Sequence, residues 1–278
     1  MPVLIRDDGA SLEYQVVKAD SPSTGRLPFI FQHGMGGDRN QPLGYIQQLE
    51  RTALVCMDAR GHGNSSNIIE SRCSFDAFAD DVVALADELG FDKFIGGGIS
   101  LGAGTALNTA VRYPDRVAGM VLCRPAWLEQ RQAHRNVAAY ELIADLIQQY
   151  GTDEALGRLT ATELYRDIES ESAAAAQSLR HQITRPRAAA NASILRSFPT
   201  TAPTVSRDQW ASISAPTLVV GHHEDPFHPW EIAQAYADVI PAAQLVEVTS
   251  KDRNPEAFVA EVNAAISGFV DSTGWETA

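Results

Sequence analysis

The chain has 278 residues, of which 45% are hydrophobic and 21% are charged, and its formal net charge is -13. This length allows one large α/β domain or a core domain with a smaller insert, and the composition is that of an ordinary globular protein. Nucleic acid is disfavoured as a partner because its phosphates would be repelled by the negative charge.

No targeting or membrane segment is evident in the sequence. Residues 1–8 lack a basic stretch followed by an apolar one, and no later run approaches the roughly 20 apolar residues that span a bilayer. We therefore expect a cytoplasmic protein with no membrane partner. Cys56, Cys73 and Cys123 lack metal-ligand spacing, and we expect them to be buried hydrophobic residues rather than a disulfide framework.

Two alternating stretches, residues 3–6 and 11–17, predict a hairpin at a sheet edge. The later strands are predicted from short apolar runs, which are typical of strands covered on both faces. These runs lie at residues 29–31, 53–57, 94–95, 119–123, 217–220 and 244–248. The clearest helix is predicted from Ser74, a suitable N-cap, to Leu89. The alternation of strands and helices indicates the α/β class, with a doubly wound, mostly parallel sheet.

The segment from residue 125 to 207, which we call the cap segment, interrupts this alternation. It shows helical patterns but no convincing strand, and we interpret it as a helical cap inserted over the ends of the strands. The predicted helices lie at residues 134–150, 152 to about 165, 172–183 and 188–195. The core domain is then formed by residues 1–124 and 208–278.

A glycine-rich turn follows the apolar run at residues 94–95 and leads into a predicted helix. Its Gly98-Ile99-Ser100-Leu101-Gly102 has the Gly-x-Ser-x-Gly pattern of a nucleophile elbow. In such a turn Ser100 is held in a strained backbone conformation, and a side chain at either glycine would collide with the neighbouring strand or helix. Taken alone, the stretch would also fit a packing turn or a dinucleotide-binding loop.

Three motifs stand where predicted strands end, which is where the site of an open α/β sheet is built. They are His33-Gly34, Asp58-x-Arg60-Gly61-His62-Gly63-x-Ser65 and the elbow. In this order and spacing they resemble the α/β-hydrolase fold family, in the branch of bacterial esterases, haloperoxidase-like enzymes and carbon–carbon bond hydrolases. The resemblance extends from about residue 10 to 270, is weakest in the cap segment, and implies about eight strands and no cofactor.

The resemblance also implies roles for individual residues. Ser100 matches the nucleophile, and the backbone N–H groups of Met35 and Leu101 match the oxyanion hole. Asp225, in the loop after the seventh strand, occupies the usual position of the acid. Arg60 and His62 belong to a structural loop, whereas His33 is a candidate for substrate contact.

The chain departs from the family at the general base. The histidine expected after the last strand is missing, Lys251 stands about where it would be, and no histidine follows His228. His228, in a loop bent by Pro226 and Pro229, could fold back to serve as the base, or it could merely cap or pack the next helix. Lys251 could serve if desolvation lowered its pKa. Beside Asp225 it would instead form an ion pair.

Two cations are expected at the active edge of the sheet. Arg124 directly follows the sixth strand, and with Lys251 it suggests a substrate carboxylate or another anion, although ordinary surface salt bridges would explain both. Trp127 would either define the substrate pocket or anchor the cap segment as a core aromatic residue. Although His222, His223 and His228 lie close in sequence, they lack the spacing of zinc ligands, so no metal is expected.

These observations favour a hydrolase of a small-molecule ester, lactone or related acyl bond, with Ser100, Asp225 and His228 as the catalytic residues. The missing histidine leaves two other functions open. One is a lyase or cofactor-independent enzyme that uses Ser100, Arg124 and Lys251, and the other is a ligand-binding pseudoenzyme. A small-molecule substrate is the expected partner, and the chain could be a monomer or a homodimer because no exposed apolar stripe points to an interface.

Overall fold

The computed structural model describes residues 1–17, 25–47, 49, 51–272 and 275. The other residues of the predicted core domain, 18–24, 48, 50, 273–274 and 276–278, lie outside the described residues. The strands are β1 (Val3–Ile5), β2 (Ser11–Val17), β3 (Phe29–Gln32), β4 (Leu54–Met57), β5 (Phe94–Ile99), β6 (Val117–Cys123), β7 (Thr217–Gly221) and β8 (Ala243–Glu247).

The helices complete the alternation that the sequence predicts. They are α1 (Phe75–Glu88), α2 (Leu101–Arg112), α3 (His134–Thr160), α4 (Glu163–Glu171), α5 (Ala173–Thr184), α6 (Ser193–Ser197), α7 (Arg207–Ala211), α8 (Trp230–Val239) and α9 (Pro255–Ser272). The side chain of Ser74 accepts a hydrogen bond from the N–H of Ala77, so the predicted N-cap of α1 is confirmed. In the described part of the chain, no helix is both long enough and apolar enough to cross a membrane.

Within the described residues, eight strands form one sheet in the order β1-β2-β4-β3-β5-β6-β7-β8. β2 pairs antiparallel with β1 and with β4, and every pairing from β4 to β8 is parallel. The predicted edge hairpin and the mostly parallel sheet are therefore confirmed. Parallel neighbours require long crossover connections, and α2 supplies the one from β5 to β6 and α8 the one from β7 to β8.

Neighbouring residues of each strand point to opposite faces of the sheet, and both faces are covered. Ile30 and Val55 belong to one buried apolar cluster, whereas Phe29, Phe31 and Cys56 belong to another. This double burial is the physical reason why the strands appear in the sequence as continuous apolar runs.

Between β6 and β7 the described residues form helices and no strand. Tyr140, Ile143 and Tyr165 contribute to an apolar core within the cap segment. The predicted break between the helices at 134–150 and 152–165 is confirmed, because Gly151 has a non-helical backbone, but the predicted end near residue 165 is wrong. α3 continues across a kink at Gly151 (φ 71°, ψ 170°) as far as Thr160, and the side chain of Thr162 then caps a new helix, α4.

Candidate active site

Ser100 lies in the tight turn between β5 and α2. Its backbone, with φ 53° and ψ -107°, is in a region where a residue other than glycine is strained. A Cβ on Gly98 would lie 2.3 Å from the carbonyl carbon of Gly102, and a Cβ on Gly102 would lie 2.4 Å from the carbonyl oxygen of Gln32. Both distances are far below van der Waals contact, which confirms the steric reason for the two glycines.

His228 reaches Ser100 from the loop after β7. Its Nε2 lies 2.9 Å from Ser100 Oγ, and its Nδ1 lies 3.0 Å from each carboxylate oxygen of Asp225. Lys251 Nζ, the alternative base, instead donates to the Tyr45 hydroxyl at 2.6 Å. Of the two candidates that could replace the missing histidine, the structure therefore brings His228 to the serine.

The Asp225 carboxylate shapes the loop that presents His228. Its Oδ1 accepts the backbone N–H groups of Phe227 and His228, each at 3.2 Å, in addition to its contact with the imidazole. An aspartate that bonds to amides two and three residues ahead closes a local turn. The same side chain thus fixes the backbone of His228 and the orientation of its ring.

Arg124 holds the other side of this carboxylate. Its Nε and Nη2 donate to Asp225 Oδ2 at 2.9 Å and 2.5 Å, and both side chains are largely buried, with 13% and 4% exposed. The expectation that Lys251 would form the ion pair with Asp225 is therefore wrong. The backbone N–H of Arg124 donates to the carbonyl oxygen of Val220 in β7, the strand that leads into the loop of Asp225.

The position of the proton on His228 decides whether this arrangement can work. Arg124 Nη2 lies 3.1 Å from His228 Nδ1, and a guanidinium can only donate hydrogen bonds. A proton on Nδ1 is favoured by the two Asp225 oxygens, and it leaves Nε2 free to accept from the Ser100 hydroxyl. Arg124 would donate to an unprotonated Nδ1, whereas Asp225 accepts from a protonated Nδ1. The negative charge of the carboxylate favours the tautomer with the proton on Nδ1.

Burial and charge set the protonation states. Burial lowers the pKa of His228, the charge of Asp225 opposes this, and the charge of Arg124 adds to the lowering. Burial alone would raise the pKa of Asp225, but the charges of Arg124 and His228 and their hydrogen bonds hold it well below its usual range. At neutral pH the imidazole is thus neutral and the carboxylate ionised, as a general base and its orienting acid require.

Of the two predicted oxyanion donors, Leu101 directly follows Ser100 in the chain, and Met35 lines the same cavity as Ser100. Leu101 is the first residue of α2, where backbone N–H groups have no acceptor within the helix. Met35 lies in the loop after β3, which is held at both ends: Gln41 Oε1 accepts the Gly34 N–H at 2.7 Å, and Gln182 Nε2 donates to the Met35 carbonyl at 2.9 Å. The Met35 carbonyl faces the cap segment, and Met35 is part of the lining of the cavity that contains Ser100.

A cavity of about 300 Å³ opens onto Ser100. Met35, Arg124, His228 and Lys251 line it, as their proposed roles require. Further lining residues, which the sequence did not single out, are Gln41, Tyr45, Tyr140, Ala174, Gln177, Ser178 and His181. Four of these recur along α5 at intervals of three or four residues, so one face of that helix forms a wall. This helical periodicity is the sequence signal from which the cavity-lining residues of α5 could have been predicted.

Two predicted substrate contacts lie elsewhere. His33 is buried, its Nε2 accepts the Ala59 N–H at 3.0 Å, and its Nδ1 lies 2.8 Å from the Gly34 carbonyl oxygen. With both ring nitrogens bonded to backbone, it joins two loops and does not line the cavity. The prediction of substrate contact for His33 is corrected to a structural role.

Trp127 is also absent from the cavity lining. It is buried, donates its Nε1–H to the Phe198 carbonyl at 3.1 Å, and meets the Phe75 ring edge-on with 5.2 Å between centroids. It therefore anchors the cap segment to the core, which is the alternative that the sequence left open. Arg60 is structural as expected, since its Nε and Nη2 bind Asp81 at 2.6 Å and 2.9 Å.

Comparison with known proteins shows that this chain is similar to hydrolases. Residues 28–251 match the family model described as the alpha/beta hydrolase fold. The chain is 27% identical over 244 residues to RutD of Rhizobium rhizogenes, provisionally named a carbamate hydrolase, covering 84% of this chain and 87% of the relative. It is 25% identical over 264 residues to 3-oxoadipate enol-lactonase 2 of Acinetobacter baylyi, covering 91% of each.

A solved structure extends the comparison to the fold. The thermophilic esterase of Thermogutta terrifontis superposes with a TM-score of 0.70 at 24% identity, and the match covers 96% of both chains. This likeness supports the fold, while the names of the two sequence relatives support hydrolase activity for this chain in general.

Proposed function

This chain belongs to the α/β-hydrolase fold family, and we propose that it is a serine hydrolase that cleaves an ester, lactone or related acyl bond of a small molecule. The observation that carries the proposal is the 2.9 Å contact between Ser100 Oγ and His228 Nε2. The 3.0 Å contacts of His228 Nδ1 with Asp225 complete a nucleophile, a base and an orienting acid. The carbamate and lactone in the relatives' names are acyl bonds of the same kind.

The chemistry follows from the geometry. Ser100 Oγ attacks the acyl carbon while His228 Nε2 takes the hydroxyl proton, and the Met35 and Leu101 N–H groups bind the oxyanion. Each such donor contributes about 3 to 4 kcal/mol to transition-state stabilisation. His228 then returns the proton to the leaving group, and in a second step it activates the water that releases the acyl group from Ser100.

His228 also bears on the other functions that the sequence left open. A lyase and a ligand-binding pseudoenzyme were favoured by the loss of the histidine after β8. With an imidazole 2.9 Å from Ser100 Oγ, this loss no longer argues for either function. The strained elbow is retained as well, and such strain is typical of a working nucleophile.

The proposal is tested by labelling with a fluorophosphonate and measuring the intact mass. We expect one adduct on the wild type and none on Ser100→Ala, because only a serine activated by a neighbouring base reacts. Ser178, which also lines the cavity, provides a matched control, and Ser178→Ala should still take one adduct. A folded wild type that takes no adduct would rule out the acyl-enzyme mechanism.

The pH dependence gives a second prediction. Since His228 must be neutral to act as base and its pKa lies below the ordinary 6.5, kcat/KM should fall only as the pH drops through a midpoint below 6.5. Arg124→Met removes a positive charge that lowers this pKa, so its midpoint should move to higher pH. The measurement is kcat/KM for an aryl ester across the acid range. A midpoint that Arg124→Met leaves unchanged would contradict the assignment of His228 as base.

A further inference from the structure

We infer that the substrate carries a carboxylate remote from the bond that is cleaved, and that Lys251 binds this carboxylate. The inference rests on the proposed function, because it names the class of acyl compound that the same cavity accepts. It starts from an imbalance of charge in the lining of the cavity.

Two basic side chains, Arg124 and Lys251, line the cavity, but only Arg124 has a carboxylate partner among the described residues. Arg124 is neutralised by Asp225 through two hydrogen bonds. Among the residues that the structure describes, no carboxylate lies within 4.0 Å of Lys251 Nζ, and its polar contact is the Tyr45 hydroxyl at 2.6 Å. The half-buried ammonium is thus the uncompensated charge in the lining.

The position of the ammonium is fixed. Lys251 Nζ lies 5.0 Å from the centre of the Tyr45 ring and 4.8 Å from that of Phe258, both within the range of cation–π attraction. The Arg124 guanidinium lies 6.0 Å from the same Phe258 ring, so both cations lie near one aromatic side chain. An ammonium has three donors, and Tyr45 accepts one, which leaves two for a ligand.

The loop that carries Lys251 is also tied to the cavity wall. The neighbouring Asp252 accepts the backbone N–H of Ala174 at 2.9 Å and the hydroxyl of Ser172 at the start of α5. The Asp252 carboxylate therefore binds the N-terminus of α5, the helix that forms the cavity wall. These hydrogen bonds fix the loop of Lys251 relative to that helix. Lys251 is presented at a defined point of the cavity.

The overall charge strengthens the argument. A chain with a net charge of -13 repels anions in general, so an anionic substrate requires a local positive site. Leaving a cation partly desolvated without a counter-ion is unfavourable, and a bound carboxylate would relieve that cost through a charge-assisted hydrogen bond. Because the cavity has a volume of about 300 Å³, the part of the substrate that links its carboxylate to the scissile carbonyl must be short.

The test compares two esters that differ in one charge, the mono-4-nitrophenyl ester of glutaric acid and its methyl ester. For the wild type we expect kcat/KM to be higher for the free acid by roughly ten- to a hundredfold, as for a hydrogen bond between charged groups. Lys251→Met should abolish this ratio, and Lys251→Arg should restore part of it. Lys93→Met removes an exposed lysine at the opposite end of β5 and should leave the ratio unchanged.

A binding measurement separates the failure of this inference from that of the proposed function. Glutarate should raise the melting temperature of the wild type but not of Lys251→Met, and neutral glutaramide should raise neither. If neither ester is cleaved and no fluorophosphonate adduct forms, the hydrolase proposal fails, while the glutarate shift still decides on anion binding. Equal kcat/KM values for the two esters, or a glutarate shift that survives in Lys251→Met, would overturn the role of Lys251.

Discussion

Replacing His228 with alanine should lower kcat/KM for ester hydrolysis by roughly 10⁴- to 10⁶-fold, the range seen when the base of a serine hydrolase is removed. Among the described residues, His228 supplies the basic group that contacts Ser100, since its Nε2 lies 2.9 Å from Ser100 Oγ. Without this base the hydroxyl is a poor nucleophile at neutral pH. The measurement is steady-state kinetics with an aryl ester, together with the loss of the fluorophosphonate adduct.

His223 provides the control for this substitution. It belongs to the same loop, its side chain is 55% exposed, and it does not line the cavity, so His223→Ala should keep wild-type kinetics. Unfolding curves should show that both variants are folded. If His228→Ala retained activity within tenfold of the wild type, another group would be the base, and Lys251 would return as the candidate.

The core fold could be predicted from the sequence because its signals are local. The run 29–31 is apolar throughout and the run 217–220 is apolar except for Thr217, because both sheet faces are covered. The start of α1 could be predicted because the side chain of Ser74 caps it by a local hydrogen bond. The elbow is equally local, because two glycines and the serine between them lie within five residues. The cap helices were less well predicted, since the break after Thr160 depends on the cap supplied by Thr162.

The contact between Asp225 and His228 could be predicted because it is short in sequence, whereas the contact between Ser100 and His228, which spans 128 positions, was one of the alternatives that the sequence left open. Asp225 and His228 are three residues apart, and the prolines around them predicted the bend that lets one orient the other. The Arg124 contact with Asp225 spans 101 positions and that of Lys251 with Tyr45 spans 206. Nothing in the sequence distinguishes which cation faces which partner, and for this reason the ion pair between Lys251 and Asp225 was one of the alternatives left open.

Replacing Asp225 with asparagine should lower kcat/KM by about 10⁴-fold and also destabilise the folded chain. The amide of asparagine can donate to His228 Nδ1, which favours the tautomer with the proton on Nε2, and that tautomer cannot accept from Ser100. The substitution also leaves the guanidinium of Arg124 buried without a counter-ion, and breaking a buried ion pair in this way costs about 3 to 5 kcal/mol. Kinetics and denaturant unfolding measure the two effects separately.

The neighbouring Glu224 is the matched control. It forms an ion pair with Arg253 in which the side chains are 43% and 68% exposed, so Glu224→Gln removes the same charge from the same loop but leaves a solvated cation. We expect little change in stability or in kcat/KM. A loss comparable to that of Asp225→Asn would mean that the loop responds to charge in general rather than to the buried pair.

The double variant Arg124→Met with Asp225→Asn separates the two roles of the carboxylate. Removing both charges abolishes the unpaired cation, so the free energy of unfolding should recover towards the wild-type value. Activity should stay near that of Asp225→Asn, because the wrong tautomer of His228 persists. If activity returned together with stability, Asp225 would act only by neutralising Arg124. If stability did not recover, the unpaired charge of Arg124 would not be the cause of the lost stability.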